Sequence, residues 1–346
     1  MTATYEPVED SQSLRDALRI ADDVLFPAAL AVDAADQVPE SHLDLLAEKG
    51  FYGLVAPEDL TILDFPDYPA VRRAVEALAG GCLTTTFVWV QHHGAASAAA
   101  ETENAAIRDA YLAALASGQR RAGMAIGAAV RPGPPMLRAT AVNGGWLLDG
   151  YAPWVTGWDM IDTLYVAGRD DKDLVVWALL DTDELGSVSV EPLDMIAAQA
   201  SRTVTMHFSE VFVSHERVTA TQPQEETLKG DAESLRFTGI LALGVAGRAI
   251  SLMGDDGGKL AAELDVVRTL LADASPEDVP AARAAGSELA LRAAAALTAY
   301  AGGRSILKDA HAQRLVREAT FLLVFGTRPG IRASLLDYLS RPRQPI

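Results

Sequence analysis

The sequence predicts a mostly helical α+β protein in which one β domain separates two helical domains. Apolar residues recur at spacings of three and four before about residue 118 and again after about residue 223, which is the period of amphipathic helices. Between these regions, short runs of β-branched and aromatic residues are interrupted by Gly, Asp or Pro, a pattern typical of antiparallel strands. We therefore expect three domains, at 1–118, 119–222 and 223–346.

The first region, from Ser11 to about Ser117, is predicted to consist of helices with a break at Gly80–Gly81. The apolar stretch from Thr84 to Ala100 is too long for a typical strand, so we predict a buried helix. His92 and His93 lie in it and point about 100° apart. They cannot share one metal ion as an i, i+4 pair can, and we expect packed histidines.

The second and third regions differ in their periodicity. The residues from Thr203 to Phe208 alternate between polar and apolar side chains, which indicates a strand with one face toward solvent. We expect an antiparallel sandwich or barrel of about a hundred residues here. The polar segment at 221–234 is predicted to be a linker. The alanine-rich third region is typical of closely packed helices, with breaks at Pro276–Pro280 and Gly302–Gly303.

Composition and charge exclude several classes of function. The chain is 49% hydrophobic and carries 29 basic against 47 acidic residues, a net charge of −18. Such a surface repels phosphate backbones and anionic lipids, so we expect neither nucleic acid nor a membrane as partner. Cys82 is the only cysteine, so neither a disulfide framework nor a thiolate metal site is expected. The chain shows neither a secretory signal nor a membrane-spanning run, and we expect a cytoplasmic protein.

Three segments resemble the acyl-CoA dehydrogenase family. The first is GGWLLDGYAPWVTGWDMIDTLYVAGR, from Gly144, which resembles the family's strand, glycine turn and Trp-x-Thr triplet. The second is SRTVTMHFSEVFVSHERV, from Ser201, which resembles the closing strands of the family's β domain. The third is AGGRSILKDAHAQRLVREATFLLVFGTRPGIRASLL, from Ala301, which resembles its C-terminal segment. The resemblance implies an N-terminal helical domain, a middle antiparallel β domain and a C-terminal four-helix bundle.

The resemblance also implies a flavoprotein that binds FAD and oxidises the α,β bond of an acyl-CoA thioester. Trp154 would cover the isoalloxazine ring by offset stacking. Thr156, on the same side of an extended strand, would donate its hydroxyl to the flavin N5 atom. Arg131 would meet a phosphate, and Gly302 and Gly303 would bring backbone close to the adenine side of FAD. The alternative for the triplet is a core tryptophan with a cross-strand threonine.

The sequence departs from the family at the catalytic base. Phe325 or Gly326 stands where most members have a glutamate, and neither residue can accept a proton. Some members place the base at the start of the first C-terminal helix, where Glu233 lies, with Arg236 following as the expected substrate-binding residue. Burial against flavin and thioester would suit Glu233 to general-base work. The alternative is a first-turn glutamate that caps the helix.

The resemblance places a conserved arginine–acid pair of the family at Arg317–Glu318. It also shows that the loop lining the flavin has lost its polar donors, because GAAVRPGPP stands at 127–135. Asp255–Asp256 stand where a neighbouring subunit grips FAD in the family, and they would repel a diphosphate. These departures imply FAD that is held weakly or is shared with a partner subunit.

Three functions remain open at the level of sequence. One is an acyl-CoA dehydrogenase with Glu233 as base, acting in lipid or steroid catabolism. The second is a non-catalytic or half-site partner of a heteromeric acyl-CoA dehydrogenase, and the third is a flavin-dependent monooxygenase on the same fold. The expected assembly is a homo-oligomer or a hetero-oligomer with an acyl-CoA dehydrogenase paralogue. The sequence does not identify the acyl group of the substrate.

Overall fold

The computed structural model describes residues 10–341 of the chain. Helices occupy the described chain up to Ser117 and from Gln224 onward, and the strands lie between Ala122 and Pro223. This order of helical, β and helical parts confirms the fold class predicted from the sequence.

The described N-terminal part is helical, and one of its helices is buried along most of its length. Its α-helices are α1 (Gln12–Arg19), α2 (Phe26–Asp33), α3 (Glu40–Glu48), α4 (Tyr68–Gly81), α5 (Leu83–Glu101) and α6 (Ala105–Ser117). Helix α5 carries apolar or small side chains around most of its circumference, the pattern of a helix surrounded by other elements. This confirms the buried helix that the sequence predicts at 84–100.

The middle part forms a mixed sheet. Its strands are β1 (Ala122–Ala125), β2 (Leu137–Val142), β3 (Gly145–Val155), β4 (Thr163–Arg169), β5 (Leu174–Asp181), β6 (Val188–Pro192), β7 (Val204–Ser214) and β8 (Val218–Pro223). The order is β6-β7-β3-β2-β4-β5-β8, with β1 beside β4. A short helix, α7 (Gly127–Val130), follows β1. Most strand pairs are antiparallel, as the sequence predicts, but the β1–β4 and β2–β4 pairs are parallel. Strand periodicity does not reveal the direction of a partner strand.

The C-terminal part is a helical bundle. Its α-helices are α8 (Gln224–Ser251), α9 (Gly258–Asp273), α10 (Val279–Ala301), α11 (His311–Leu322) and α12 (Pro329–Ser340). The segment 221–234, predicted to be a linker, instead contains the end of β8 and the first three turns of α8. Lys229 stabilises these turns by pairing with Glu225 and Glu226, one turn earlier on the helix. Within residues 10–341, no helix combines the length and apolarity that crossing a membrane requires.

Helices α4 and α8 approach each other through glycines. The predicted break at Gly80–Gly81 lies one residue later, at Cys82, between the end of α4 and the start of α5. A Cβ on Gly80 would lie 2.9 Å from the carbonyl oxygen of Gly244, and a Cβ on Gly244 would lie 2.3 Å from that of Glu76. These glycines therefore serve close helix packing between the N-terminal part and the bundle.

The adjacent residues Arg317 and Glu318 on α11 have separate ionic partners. Arg314 and Glu318, one turn apart and fully buried, pair at 2.6 Å. Arg317 donates to Asp33 of α2 at 2.5 and 3.0 Å. This follows because adjacent helical residues do not face each other. The Arg317–Asp33 pair connects the N-terminal helices to the bundle.

His92 is a satisfied core histidine. Its Nδ1 accepts the backbone N–H of Ala122 at 3.2 Å, and its Nε2 donates to the carbonyl of Leu115 at 3.1 Å. Burial lowers its pKa to about 3. The neighbouring His93 is also buried, in edge-to-face contact with Trp89 and Phe237. Both histidines are packed, as the sequence predicts.

We expect Gly244→Ala to lower the free energy of unfolding by about 2 kcal/mol, because the added methyl group forces α4 away from α8. Urea unfolding followed by circular dichroism measures this. Gly247→Ala on the same helix is the matched control, because its Cβ would meet side-chain atoms only at 3.5 Å or more. Equal losses in the two variants would contradict close packing at Gly244.

We also expect His92 to make the protein less stable in mild acid. Between its usual pKa of 6.5 and its folded value of about 3, the unfolded chain binds a proton that the folded chain does not. Stability therefore falls as the pH falls through this window. From about pH 7.5 to about pH 5, wild type should lose about 2 kcal/mol more than His92→Gln, measured by urea unfolding.

His207→Gln is the control for this experiment, because His207 lies half exposed on β7. This control should follow the wild-type pH dependence. An identical pH dependence in His92→Gln and wild type would show that His92 does not carry the effect.

Candidate functional site

Trp154, at the end of β3, combines a strained backbone with an exposed side chain. Its φ is +64°, in the left-handed region that bulky residues rarely adopt. The pairing of β3 with β7 is irregular between Ala152 and Val155, and such a bulge redirects side chains. The indole is 55% exposed, so the alternative of a core tryptophan is wrong. Strain of this kind costs about 1–3 kcal/mol and clusters at functional sites.

The hydroxyl of Thr156, two residues further along the chain, is bonded within the protein. Thr156 is 2% exposed, and its Oγ1 lies 3.1 Å from Oγ1 of Thr203. Oγ1 of Thr203 lies 2.7 Å from Oγ of Ser201. Thr156 is therefore the cross-strand threonine of the alternative predicted from the sequence. The side chain of Trp154, in contrast, is exposed to solvent. The indole is the accessible part of the Trp-x-Thr triplet.

Arg131 is an exposed cation close to the triplet. It makes no ion pair within residues 10–341, and its Nη1 lies 3.9 Å from Sδ of Met136. A Cβ on Gly127 would meet both Nε of Arg131, at 3.9 Å, and Cδ of Pro153, at 4.0 Å. Because Pro153 directly precedes Trp154, the guanidinium is available to an anionic group of a ligand bound at the indole.

A groove of about 950 Å³ opens between the sheet and the bundle. It is lined by the loop 132–135, the β4–β5 turn, the first half of α8 and the starts of α10 and α12. Its basic residues are paired with carboxylates, as Arg138–Asp171, Arg169–Asp173, Arg328–Asp231 and Lys229–Glu226. Six lining residues are prolines, which lack backbone donors. The groove suits an extended ligand with an uncharged portion.

The position expected for a C-terminal catalytic base holds an apolar ring. Phe325 follows α11 and lies 5.0 Å from the ring of Phe87 and 5.6 Å from that of Phe321, centroid to centroid. Its carbonyl accepts a 2.7 Å hydrogen bond from Arg283, which is buried. Desolvation, with a smaller contribution from Arg328, lowers the pKa of Arg283 to about 9. This aromatic cluster offers no proton acceptor of its own.

Glu233 and Arg236 lie elsewhere than expected. Because α8 begins at Gln224, Glu233 belongs to its third turn, so the first-turn cap is wrong. Its side chain is 70% exposed and pairs with Arg236 at 3.2 Å, which does not match the expected burial. Arg236 donates to three backbone carbonyls at the end of α9, at 2.6–2.9 Å. It therefore satisfies a helix end, where carbonyls lack partners, rather than facing a substrate.

Gly302 and Gly303 lie at the end of α10 that is distant from the groove. They follow α10, are exposed, and have no atom within 4 Å of an added Cβ. Pro280, at the start of α10, lines the groove, and a helix of this length spans about 33 Å. The structure thus groups Trp154 with Thr156 and Arg131 but leaves the glycine pair at the opposite end of α10.

Sequence reasoning missed Ser201 and Thr203 as site residues. The sequence did carry a signal, because the two hydroxyl residues stand two positions apart immediately before β7. Only the fold shows that Thr156 meets them. Within residues 10–341, no three His, Cys, Asp or Glu side chains form a group that could hold a metal ion.

Comparison with known sequences points to one family. Residues 8–119 match the sequence profile described as "Acyl-CoA dehydrogenase, N-terminal domain". The curated benzylmalonyl-CoA dehydrogenase of Aromatoleum aromaticum is 26% identical over 261 residues, which is 71% of this chain and 67% of that protein.

Solved structures share the fold over almost the whole chain. A glutaryl-CoA dehydrogenase from Mycobacterium smegmatis in complex with FADH2 has a TM-score of 0.81 at 15% identity, covering 97% of this chain and 98% of that one. Butyryl-CoA dehydrogenase from Megasphaera elsdenii has a TM-score of 0.79 at 17% identity, covering 97% and 100%. At these identities the likeness establishes the fold. Together with the profile match over residues 8–119 and the curated relative, it points to the acyl-CoA dehydrogenase family.

Proposed function

We propose that the chain is a flavin-binding oxidoreductase of the acyl-CoA dehydrogenase type, with FAD held against Trp154 and an acyl-CoA thioester as substrate. The observation that carries the proposal is the exposed indole at a positive φ. Covering its exposed half with a flat ring stabilises the complex by about 2–3 kcal/mol. This gain in binding free energy is similar to the free-energy cost of the strained backbone at Trp154. Binding of a ligand would therefore offset that cost.

The residues near Trp154 fit a flavin in three respects. The indole provides a stacking surface, the Thr156 hydroxyl is a donor for a ring acceptor, and Arg131 provides a cation for a phosphate. A bound flavin supplies the hydride acceptor. The groove beside loop 132–135 would take the extended, uncharged part of an acyl-CoA, since its cations are already paired. The named relatives act on benzylmalonyl-CoA, glutaryl-CoA and butyryl-CoA, which supports the substrate class.

A half-site partner subunit is the second candidate. Phe325 stands where the family's base is expected, and the exposed side chain of Glu233 pairs with Arg236 instead of lying in an enclosed site. A second subunit would then complete the FAD site and supply the base.

We expect Trp154→Ala to weaken FAD binding about 30-fold, because the lost stacking surface corresponds to about 2 kcal/mol. Titration of flavin-free protein with FAD, followed by quenching of flavin fluorescence, measures this change. Phe212→Ala is the matched control, because Phe212 is 54% exposed on the same sheet. Equal FAD affinity in wild type and Trp154→Ala would exclude the indole as the flavin surface.

Reduction of the bound flavin by acyl-CoA distinguishes the two candidates, because a half-site partner without a base should not be reduced by acyl-CoA on its own, and the same assay tests Glu233. If Glu233 removes the α-proton, Glu233→Gln should slow reduction at least about 100-fold. Because Glu233 is exposed and paired, we expect the variant to leave the reduction rate unchanged in stopped-flow absorbance. Glu226→Gln, exposed on the same helix, is the control. Flavin acquired only in the presence of a second chain would also favour the half-site partner.

A further inference from the structure

We propose that Ser201 and Thr203 are positioning residues that direct the hydroxyl proton of Thr156 toward the bound flavin. This inference rests on the proposed function, because it requires a ligand atom that accepts the proton. Its basis is a row of three buried hydroxyl groups, Ser201–Thr203–Thr156, which we name the hydroxyl chain.

The hydroxyl chain is enclosed and makes few contacts. Its two oxygen–oxygen distances are 2.7 Å, from Ser201 to Thr203, and 3.1 Å, from Thr203 to Thr156. All three residues are at most 3% exposed. Within residues 10–341 these hydroxyl groups make no other hydrogen bond. The hydroxyl chain therefore contains three hydroxyl protons but only two hydrogen bonds.

The third hydroxyl proton determines the direction in which the hydroxyl groups donate to one another. A hydroxyl donates one hydrogen bond, so the unused proton belongs to Ser201, Thr203 or Thr156, depending on the order of donation. An unused donor that is buried costs about 1–3 kcal/mol. All three residues are almost fully buried, and Thr156 is the end of the hydroxyl chain that lies two residues from the exposed indole of Trp154. A ligand acceptor at that end selects the order Ser201 to Thr203 to Thr156, in which every proton is used.

Backbone strain surrounds the hydroxyl chain. In the described residues, six non-glycine residues have a positive φ, and four of them flank the chain: Trp154 and Asp159 on one side, Ala198 and Arg202 on the other. Each such residue costs about 1–3 kcal/mol and persists only where its surroundings hold it in place. The concentration of strain at one point indicates that a particular geometry of the hydroxyl groups is maintained there.

Direct bonds hold the two strained segments together. The N–H of Gly157 donates to the carbonyl of Ser201 at 2.9 Å, and the N–H of Trp158 donates to that of Arg202 at 3.2 Å. The side chains of Arg202 and Asp159 form an ion pair. Thr156 therefore cannot move away from Thr203 without breaking several contacts, which keeps the hydroxyl chain continuous.

The chemical consequence is a stronger donor at Thr156. A hydroxyl that accepts one hydrogen bond donates another more strongly, by about 10–30%. Donation to a flavin ring atom that becomes electron-rich on reduction stabilises the reduced state. Thr203 and Ser201 would thus raise the midpoint potential of the flavin without touching it.

The test is the midpoint potential of the protein-bound flavin, measured by reductive titration with a reference dye after loading with FAD. Thr156→Val and Thr203→Val should both lower the ratio of reduced to oxidised flavin about three- to tenfold, or about 14–30 mV for a two-electron couple. Ser201→Ala should act in the same direction, and Thr203→Ser should restore the wild-type value. Thr205→Val, two residues along β7, is the control and should leave the potential unchanged.

The outcomes separate this inference from the proposed function. A wild-type potential in Thr203→Val and Ser201→Ala, with a shifted one in Thr156→Val, would overturn the positioning role. A wild-type potential in Thr156→Val as well would overturn the inference, while flavin binding to Trp154 would stand. If FAD does not bind wild type, the proposed function fails and this inference fails with it. Ser201→Ala provides the test if Thr203→Val does not fold.

Discussion

The hydrogen-bonded junction between the end of β3 and the segment before β7 is the interaction on which the rest of the site depends. Backbone hydrogen bonds from Gly157 and Trp158 to this segment, together with the Arg202–Asp159 ion pair, hold both segments in strained backbone conformations. The same junction contains the exposed indole of Trp154 and the Thr156 hydroxyl that bonds to Thr203.

The helical parts provide the frame for this junction. Glycines bring α4 and α8 into backbone contact, and the Arg317–Asp33 pair joins α2 to α11. Several arginines serve helix ends and carbonyls rather than ligands, because buried guanidinium groups can satisfy several acceptors at once. Arg236 at the end of α9 and Arg283 at Phe325 are examples. The arginine left exposed beside Trp154 is Arg131.

Family membership and chemistry are separate questions for this chain. The chain shares its fold with acyl-CoA dehydrogenases, and residues 8–119 match the profile of that family's N-terminal domain, yet function depends on the residues of the site rather than on the fold. The features that suit a flavin lie around Trp154, whereas the expected base position holds Phe325. A flavin surface without an adjacent base is consistent with a site that a second subunit completes.

The sequence by itself determined the helix–sheet–helix order, the buried helix α5 and the packing of His92, because these follow from local periodicity and composition. It also pointed to Trp154 and Thr156 through a resemblance of short segments. Only the tertiary structure decided the mixed sheet, the exposure of Glu233, the use of Arg236 as a helix-end donor and the meeting of Thr156 with Thr203. Each of these depends on contacts between residues distant in the chain, which neither periodicity nor spacing encodes.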